Sequence, residues 1–220
     1  MHLITGGSSG IGAALVAVLH GRGDEVMLVV RSEERAAEVA ARRPGIQTLV
    51  ADLGQPLPAL DLPARIDTLV HCAGFVDVGP IADGADVEQQ VRVNLLSPAE
   101  LTRRCLPALR AAEGTVVFVN STSGLQANPG WAGYAASKFG LRGFADALRA
   151  EEAGHGVRVS SVFPSRTATP MQERVHDFEG RDYRASDWMS ASTLAQAIVG
   201  VIDLPKDAVA TDLTLRTHQP

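Results

Sequence analysis

A glycine-rich turn near the start of the chain limits the possible folds more than any other stretch. The apolar run His2-Leu3-Ile4-Thr5 stops at TGGSSGIG, residues 5–12, and an apolar helical pattern follows as far as Gly21. A strand, a glycine-rich turn and a helix in this order favour a phosphate site, because glycines let the backbone approach the phosphates and the helix start offers free N–H groups. The turn predicts nucleotide binding, although such turns also occur without a ligand.

Further short apolar runs alternate with helical patterns along the rest of the chain. This alternation predicts an α/β fold with a mainly parallel sheet and right-handed crossovers. At 220 residues the chain is expected to form one domain, residues 1–220, without repeats or low-complexity tracts. After the first, the predicted strands are Glu25–Val30, Ile46–Val50, Asp67–Cys72, Thr115–Asn120, Val157–Phe163 and a last run Thr211–Leu215.

Ligands of parallel sheets bind at the carboxyl ends of the strands. Several polar or small residues follow the predicted strands directly, so all of them should lie at that edge. We therefore predict one dinucleotide site there. The residues concerned are the glycine turn, Arg31, Asp52, Gly74, Ser121 and Pro164.

The end of the second strand bears on the choice of dinucleotide. A carboxylate there would accept hydrogen bonds from the adenosine ribose, whereas an arginine favours a 2′-phosphate. Val30 and Arg31 occupy this place, which favours NADP(H) over NAD(H). Alternatively, Arg31 only stacks on adenine or is solvated, and the preference stays open.

Between these strands, the connections differ in regularity. Prolines in residues 53–66 exclude a long helix there. Residues 81–112 are predicted to be mostly helical, with breaks or kinks at Pro98 and Pro107, and with Asn94 either a hydrogen-bonded core amide or a functional group. The polar segment 165–190 is expected to be irregular, a possible mobile cover over the site, before a last helix over about 191–202.

A tyrosine and a lysine lie four residues apart on the helix that follows the fifth strand. Tyr134 and Lys138 should share one helix face. An ammonium near a phenol lowers the phenol pKa, which would make Tyr134 a proton donor and acceptor near neutral pH. Ser121, at the end of the preceding strand, could hold a substrate oxygen. An exposed pair on an ordinary helix is the alternative when these residues are taken alone.

Composition excludes several classes of protein. The net charge of −5 gives no basic field for nucleic acid or anionic lipid. No apolar run approaches the ~18 residues of a membrane span, and the start lacks a signal peptide. The two cysteines, Cys72 and Cys105, suit a reduced compartment, so we expect a cytoplasmic protein; the histidines show no metal-ligand spacing, and no metal is expected.

At this point the chain resembles the short-chain dehydrogenase/reductase family over nearly its whole length. The matching stretches are TGGSSGIG, Asp52-Leu53, Cys72-Ala73-Gly74, Asn94 in VNLLSP, Ser121 in NSTSG, and YAASK at 134–138, all in the family's order. The resemblance implies a three-layer Rossmann-type fold with a seven-stranded sheet and hydride transfer to or from NAD(P). It also implies a homodimer or homotetramer to which the last helix and strand contribute.

The resemblance further implies roles for individual residues. Tyr134 would be the general acid/base, Lys138 would bind the nicotinamide ribose and lower the tyrosine pKa, and Ser121 would polarise the substrate oxygen. Asn94 would hold a water that connects Lys138 to solvent. Residues implied to bind the cofactor are Gly6, Ser8, Ser9, Gly10, Ile11, Gly12, Arg31, Asp52, Leu53, Ala73, Gly74, Tyr134, Lys138, Pro164, Thr167 and Thr169.

Three departures from the family pattern stand out. His71-Cys72 replaces two asparagines, so that turn must be held differently, and Pro164 is followed by Ser165 and Arg166 where the family has Pro-Gly. Arg166 could meet an anionic substrate or the cofactor phosphates, or it could be an ordinary surface residue. The third departure is the short proline-rich crossover at 53–66.

These expectations together predict an NADP(H)-dependent carbonyl reductase or alcohol dehydrogenase with a small-molecule substrate. Two alternatives remain: a dinucleotide-binding regulator without turnover, and an epimerase or dehydratase on the same scaffold. Pocket walls are expected from residues 75–81, 122–131 and 165–190.

Overall fold

A seven-stranded, fully parallel sheet forms the middle of the molecule. The computed structural model describes residues 1–218, and the strand order is β3-β2-β1-β4-β5-β6-β9. The strands are β1 (His2–Thr5), β2 (Val26–Val30), β3 (Gln47–Val50), β4 (Thr68–His71), β5 (Thr115–Val119), β6 (Arg158–Pro164) and β9 (Asp212–Leu215); a separate parallel pair is β7 (Thr167–Ala168) and β8 (Met189–Ser190). The predicted α/β class, parallel sheet and three layers are confirmed.

Helices cover both faces of this sheet. They are α1 (Gly10–Gly21), α2 (Glu33–Arg42), α3 (Val87–Val91), α4 (Ser97–Ala112), α5 (Ala132–Glu152), α6 (Pro170–Glu179) and α7 (Ala191–Ile202). Leu15 and Leu19 of α1 pack with Ile198 of α7 in the core of one face. Leu101 of α4 and Leu148 of α5 belong to the core of the other face. The inner strands β1, β2, β4 and β5 are buried along their whole length, as expected for a parallel sheet covered on both faces.

The order of the strands creates a crevice at the centre of the sheet. The chain runs outward from β1 through β2 to β3, and then returns to place β4 on the other side of β1. The connection that follows β1 and the connection that follows β4 run in opposite directions along the sheet. This leaves a gap above the carboxyl ends of β1 and β4. The glycine turn after β1 and the turn after β4 face each other there.

Residues 53–66 cross over without a helix, as their prolines predict. α4 holds this segment through backbone carbonyls. The Ser97 hydroxyl donates to the Leu53 carbonyl at 2.6 Å, and Arg104 donates to the carbonyls of Leu57 and Pro58.

The predicted helical region 81–112 is confirmed, but its breaks are placed differently. One turn of π-helix, Arg92–Leu96, joins α3 to α4 and contains Asn94. Pro98 lies in the first turn of α4, where a missing N–H costs little. Pro107 lies inside α4 and does not end it, so of the predicted break or kink at this residue the break is wrong.

The segment 165–190 was expected to be irregular, and this expectation is wrong. It contains β7, α6 and β8. α6 begins at a well-formed cap, in which the Thr169 hydroxyl accepts from the Gln172 N–H at 3.2 Å and Pro170 takes the first helical position. Only Val175 among its apolar residues is buried, so the helical apolar period was too weak to be noticed in the sequence.

Among residues 1–218, no helix has both the length and the apolar composition needed to cross a bilayer.

Candidate active site

A cavity of about 580 Å³ opens at the carboxyl edge of the sheet. It lies above the central crevice, and the turns after β1, β4, β5 and β6 form its floor. α5 forms one wall, and α6 crosses its mouth. A volume of this size is in the range of small-molecule and cofactor sites.

Glycines in the turn after β1 are required by close backbone packing. A Cβ on Gly12 would lie 2.3 Å from the Gly6 carbonyl oxygen, and Gly6 itself has φ +67° with Ala73 N only 2.6 Å from where its Cβ would be. The Ser9 side chain does not cap α1. The first N–H groups of this twelve-residue helix are therefore left for an anion at the cavity, which fits a dinucleotide pyrophosphate.

The turn after β4 is held by groups other than the amide side chains that the family pattern suggests. The Thr5 hydroxyl accepts from Ala73 N at 3.1 Å. His71 is buried, stacks on Phe118 with ring centroids 5.0 Å apart, and bonds Thr102 through Nε2. Burial lowers the pKa of His71 to about 3 and raises that of the Cys72 thiol to about 12. His71 thus stays neutral, and Cys72 is a protonated wall residue of the cavity.

Asn94 connects this turn to α5. Its Oδ1 accepts from Phe75 N at 2.8 Å, and its Nδ2 donates to the Phe75 carbonyl at 2.8 Å and to the Ser137 hydroxyl at 3.0 Å. Ser137 in turn donates to the Tyr134 carbonyl at 2.7 Å. Both N–H groups of the amide are used in positioning, so any water held by Asn94 would have to bind elsewhere on this residue.

Ser121 follows β5 and reaches the cavity because Asn120 fixes the strand end to α5. Asn120 Nδ2 donates to the Lys138 carbonyl at 3.1 Å, and its Oδ1 accepts from Ser121 N at 2.9 Å. The turn continues to Gly124, where a Cβ would lie 2.5 Å from the Asn120 amide oxygen and 2.9 Å from the Lys138 carbonyl. A glycine is therefore required at position 124, three residues after Ser121, for steric reasons.

Tyr134 and Lys138 lie one turn apart on α5, and both are buried. Lys138 Nζ donates to the Val119 carbonyl at 3.0 Å and lies 5.7 Å from the centroid of the Tyr134 ring. The ring of Trp131 packs edge-on against Tyr134 with centroids 5.7 Å apart. The sequence-based alternative of an exposed pair is therefore wrong.

The predicted direction of the tyrosine pKa is also wrong for the protein without ligands. Burial raises the pKa of Tyr134 to about 12, and the Ser121 hydroxyl opposes this only in part. Burial lowers the pKa of Lys138 to about 8. Removal from water penalises the charged form of each side chain, and for Tyr134 this penalty outweighs the hydrogen bond with Ser121.

Arg166 lies at the mouth of the cavity and is not an ordinary surface residue. Its guanidinium lies over two indole rings, 6.0 Å from the centroid of Trp131 and 5.5 Å from that of Trp188. It also forms a two-point ion pair with Glu179 at the end of α6, with Nη1 donating to Oε2 at 2.9 Å.

The cavity brings together most of the predicted site residues. Those that line it are Gly6, Ser9, Gly10, Ile11, Gly12, Ala73, Gly74, Ser121, Tyr134, Lys138, Pro164, Thr167 and Thr169. Those that do not are Ser8, Arg31, Asp52, Leu53 and Asn94. Ser8, Arg31 and Asp52 are exposed, whereas Leu53 belongs to the core under α4.

Several lining residues were not singled out from the sequence. Val76, Trp131 and Glu179 contribute side chains at the catalytic end, while Met171 and Arg174 come from α6. All lie in the three segments expected to form the walls. No common motif marks these residues, and Met171, Arg174 and Glu179 lie on α6, which the sequence does not predict. Within residues 1–218, no group of three or more His, Cys, Asp or Glu side chains could hold a metal.

Comparison with known proteins agrees with this architecture. The sequence profile of the short chain dehydrogenase family matches residues 1–180. The chain is 31% identical over 236 residues to dehydrogenase/reductase SDR family member 7B of Bos taurus, covering 96% of this chain and 73% of that protein. The chain therefore belongs to the short-chain dehydrogenase/reductase family. It is an NAD(P)-dependent oxidoreductase of that family, acting on CH–OH or C=O groups.

Solved structures share the fold at lower identity. The closed form of a serine dehydrogenase complexed with NADP+ has a TM-score of 0.84 at 22% identity, covering 98% of this chain and 94% of the other. A 4-hydroxyisoleucine dehydrogenase complexed with NADH and succinate has a TM-score of 0.80 at 20% identity, covering 98% and 97%. At these identities the likeness establishes the fold alone.

Proposed function

We propose that the protein is an NADP(H)-dependent oxidoreductase that interconverts a carbonyl and a secondary alcohol, with Tyr134 as general acid/base. The observation that carries the proposal is that Ser121, Tyr134 and Lys138 line the same cavity as the glycine turn and the uncapped start of α1. When bound, a nicotinamide cofactor supplies or accepts the hydride. The chain must then orient the substrate and move one proton.

Tyr134 carries the proton in this mechanism. With its pKa near 12, the phenol is protonated at neutral pH and can donate to the oxygen of a carbonyl that is being reduced. Ser121 holds the same oxygen and orients it toward the phenol. Lys138, with a pKa near 8, is mostly charged at neutral pH and stabilises the phenolate left behind. We assign Asn94 a positioning role through Ser137 and, as the family resemblance implies, a relay role toward solvent.

Replacing Tyr134 by Phe tests the mechanism. The Tyr134→Phe variant should lose turnover by about 10²–10⁴-fold, the usual contribution of general acid catalysis, while binding the cofactor with unchanged affinity. Tyr183→Phe is the matched control because Tyr183 is the chain's other tyrosine and does not line the cavity. Full activity in Tyr134→Phe would contradict the assignment.

The preference for NADP(H) rests on Arg31. It directly follows β2, no carboxylate stands at that strand tip, and the side chain is exposed without a hydrogen bond or ion pair to the described residues. It can therefore meet a 2′-phosphate. Structural relatives are known with NADP+ and with NADH, so the fold itself admits both. We expect tighter binding of NADPH than of NADH by calorimetry, with Arg31→Gln removing the difference; tighter NADH binding would refute the preference.

Further proposals concern the whole protein. We propose that residues 1–220 form one NAD(P)-binding domain, which the single large sheet supports, and that the protein is a cytoplasmic homodimer or homotetramer. Both cysteines are free, as suits a reduced compartment. Leu96 is 45% and Phe139 43% exposed, so a second copy could cover them. If so, Phe139→Asp should lower the mass measured by light scattering; an unchanged mass would exclude this face.

A further inference from the structure

The charged residues of the cavity are predominantly basic. Lys138, Arg166, Arg174 and Arg181 line it, and Glu179 is the one acidic lining residue in the described part of the chain. The chain as a whole has a net charge of −5, so the excess of cations is local. A concave site with such an excess attracts anionic ligands.

α6 extends between two ends of the cavity. At its start, Thr169 lies against the glycine turn, since a Cβ on Gly10 would be 3.2 Å from Thr169 Cγ2. Ten residues later, at roughly 1.5 Å per residue, Glu179 meets Arg166 beside Trp131 and Tyr134. The first end suits cofactor phosphates. The second end lies where a substrate oxygen must reach Tyr134.

At this second end, neighbouring side chains orient the guanidinium of Arg166 in a way that suits a planar anion. Trp131 and Trp188 contact its guanidinium, and the side chain is 27% exposed. Its Nη1 and Nη2 bind the two carboxylate oxygens of Glu179. A guanidinium oriented in this way can bind a carboxylate of another molecule with the same two-point geometry.

We propose that Arg166 binds a carboxylate of the substrate, and that this carboxylate replaces Glu179 on the guanidinium. The inference rests on the proposed function, because it assigns the substrate class of that same site: a keto acid or hydroxy acid whose reacting carbon lies next to Tyr134. No bond is made or broken in the exchange.

The surroundings of Glu179 allow the exchange. Arg181 Nη1 lies 3.9 Å from Glu179 Oε2, so the displaced carboxylate retains a cationic partner. Arg166 also holds the pKa of Glu179 below its usual range, which keeps Glu179 ionised and competing with the substrate at neutral pH. Because both side chains of the pair are partly exposed to solvent, water weakens the ion pair and a second carboxylate can compete for the guanidinium.

A kinetic test compares keto acids with their own methyl esters, using NADPH as reductant. We expect the wild type to favour the acids by about tenfold or more in kcat/KM, the effect of one charge-assisted two-point contact. Arg166→Gln should bring the ratio close to one by lowering the rate for the acids alone. Glu179→Gln, which removes the competing carboxylate, should raise kcat/KM for the acids relative to that for the esters.

Arg174→Gln is the matched control. It removes another lining cation that has no ion pair with the described residues, so it should leave the acid-to-ester ratio within about twofold if the contact is specific to Arg166. An equal fall of the acid-to-ester ratio in Arg174→Gln would mean that the positive charge of the whole cavity attracts the acids. That result would overturn the assignment to Arg166. Equal losses for acids and esters in Arg166→Gln would mean that the ion pair only secures α6, and would overturn it as well.

A binding test needs no turnover. Both tryptophans of the chain, Trp131 and Trp188, contact Arg166, so intrinsic fluorescence reports on this site. In the presence of NADP+ and at constant ionic strength, propionate should change the emission saturably, whereas propionamide, of similar shape and without charge, should not. The propionate response should disappear in Arg166→Gln.

The two tests separate this inference from the proposed function. Reduction of ketones without any preference for acids, together with no propionate response, would refute the carboxylate site and leave the reductase. A specific propionate response with no reduction of any carbonyl compound would support the carboxylate site and refute the reductase.

Discussion

The environment of Tyr134 keeps its phenol protonated in the protein without ligands. Both Tyr134 and Lys138 are almost completely buried. Burial raises the pKa of Tyr134 and lowers that of Lys138, so it favours the neutral form of each side chain. A helix pattern can predict that two side chains share a face, but it cannot predict how deeply that face is buried. The sequence therefore identified the pair and misjudged the sign of the tyrosine shift.

Absorbance titration of the phenol tests this shift. In the protein without cofactor, Tyr134 should stay protonated through pH ~10, the usual phenol pKa, because burial raises its pKa to about 12. Subtracting the titration of Tyr134→Phe isolates it from Tyr183. An ionisation step of Tyr134 at or below pH ~10 would contradict the dominance of burial.

Gly12 offers a second prediction for a single residue. Gly12→Ala should destabilise the protein by about 1–3 kcal/mol in urea denaturation, the usual cost of overpacking, because the new Cβ would meet the Gly6 carbonyl at 2.3 Å. It should also weaken nucleotide binding by distorting the turn. Gly21→Ala, at the end of the same helix and with open space around its Cβ, should be neutral or stabilise by up to ~1 kcal/mol. Similar effects of both changes would refute the steric argument.

Among the secondary-structure elements, α4 and α5 are joined by an ion pair with one buried partner. Glu152 is buried, and both its oxygens accept from Arg110, at 2.6 and 2.8 Å. Arg110 is 42% exposed, so solvent weakens the pair. Glu152→Gln should therefore lower the free energy of unfolding at neutral pH by about 1–2 kcal/mol. Glu38→Gln, which removes an exposed pair on α2, should change it by less than about 0.5 kcal/mol.

The effect of Glu152 should depend on pH in a defined direction. Arg110 lowers the pKa of Glu152 below its ordinary 4.5. A carboxyl whose pKa is lower in the folded state stabilises that state fully above its unfolded pKa, and this contribution is lost as the pH falls through the folded value. The difference between wild type and Glu152→Gln should shrink below pH 4.5. A difference that stays constant into acid would show that packing, not charge, explains the loss.

Most helices and strands could be predicted from the sequence because their apolar residues recur at a clear helical or strand spacing. β2 and β5 are almost entirely apolar runs, and α7 follows its period from Ala191 to Ile202. α6 was missed because it packs on a cavity and not on the sheet, so it has few apolar residues. The π-helical turn at Asn94 was beyond prediction, since it arises from the fit between α3, α4 and α5.

At the scale of the whole molecule, strand ends and turns of the sheet form one part of the site, and α6 forms the other part. Strand ends and glycine turns have recognisable motifs, so the positions of Gly12, Ser121, Tyr134 and Lys138 followed from the sequence. Trp131, Glu179 and Arg181 did not, because their proximity to Arg166 results from tertiary packing without a motif. Arg31 and Asp52 lie at the expected edge but outside the cavity walls.

This division predicts different local stabilities. In hydrogen exchange, amides of β4 and β5 should be protected with or without cofactor, because these strands are completely buried. Amides of α6, which has only three buried residues, should exchange rapidly in the free protein and slow down when NADP+ is added. Equal protection of α6 in both states would mean that the helix is a fixed wall of the cavity.

The last strand has a consequence for folding on the ribosome. β9 supplies the outer neighbour of β6, and it is made only after more than forty further residues have followed β6. Until Asp212–Leu215 emerges, β6 is a bare, apolar strand edge of the kind that recruits other nascent chains. Loss of β9 should therefore appear first as aggregation during synthesis, even though all the residues assigned to chemistry lie upstream of it.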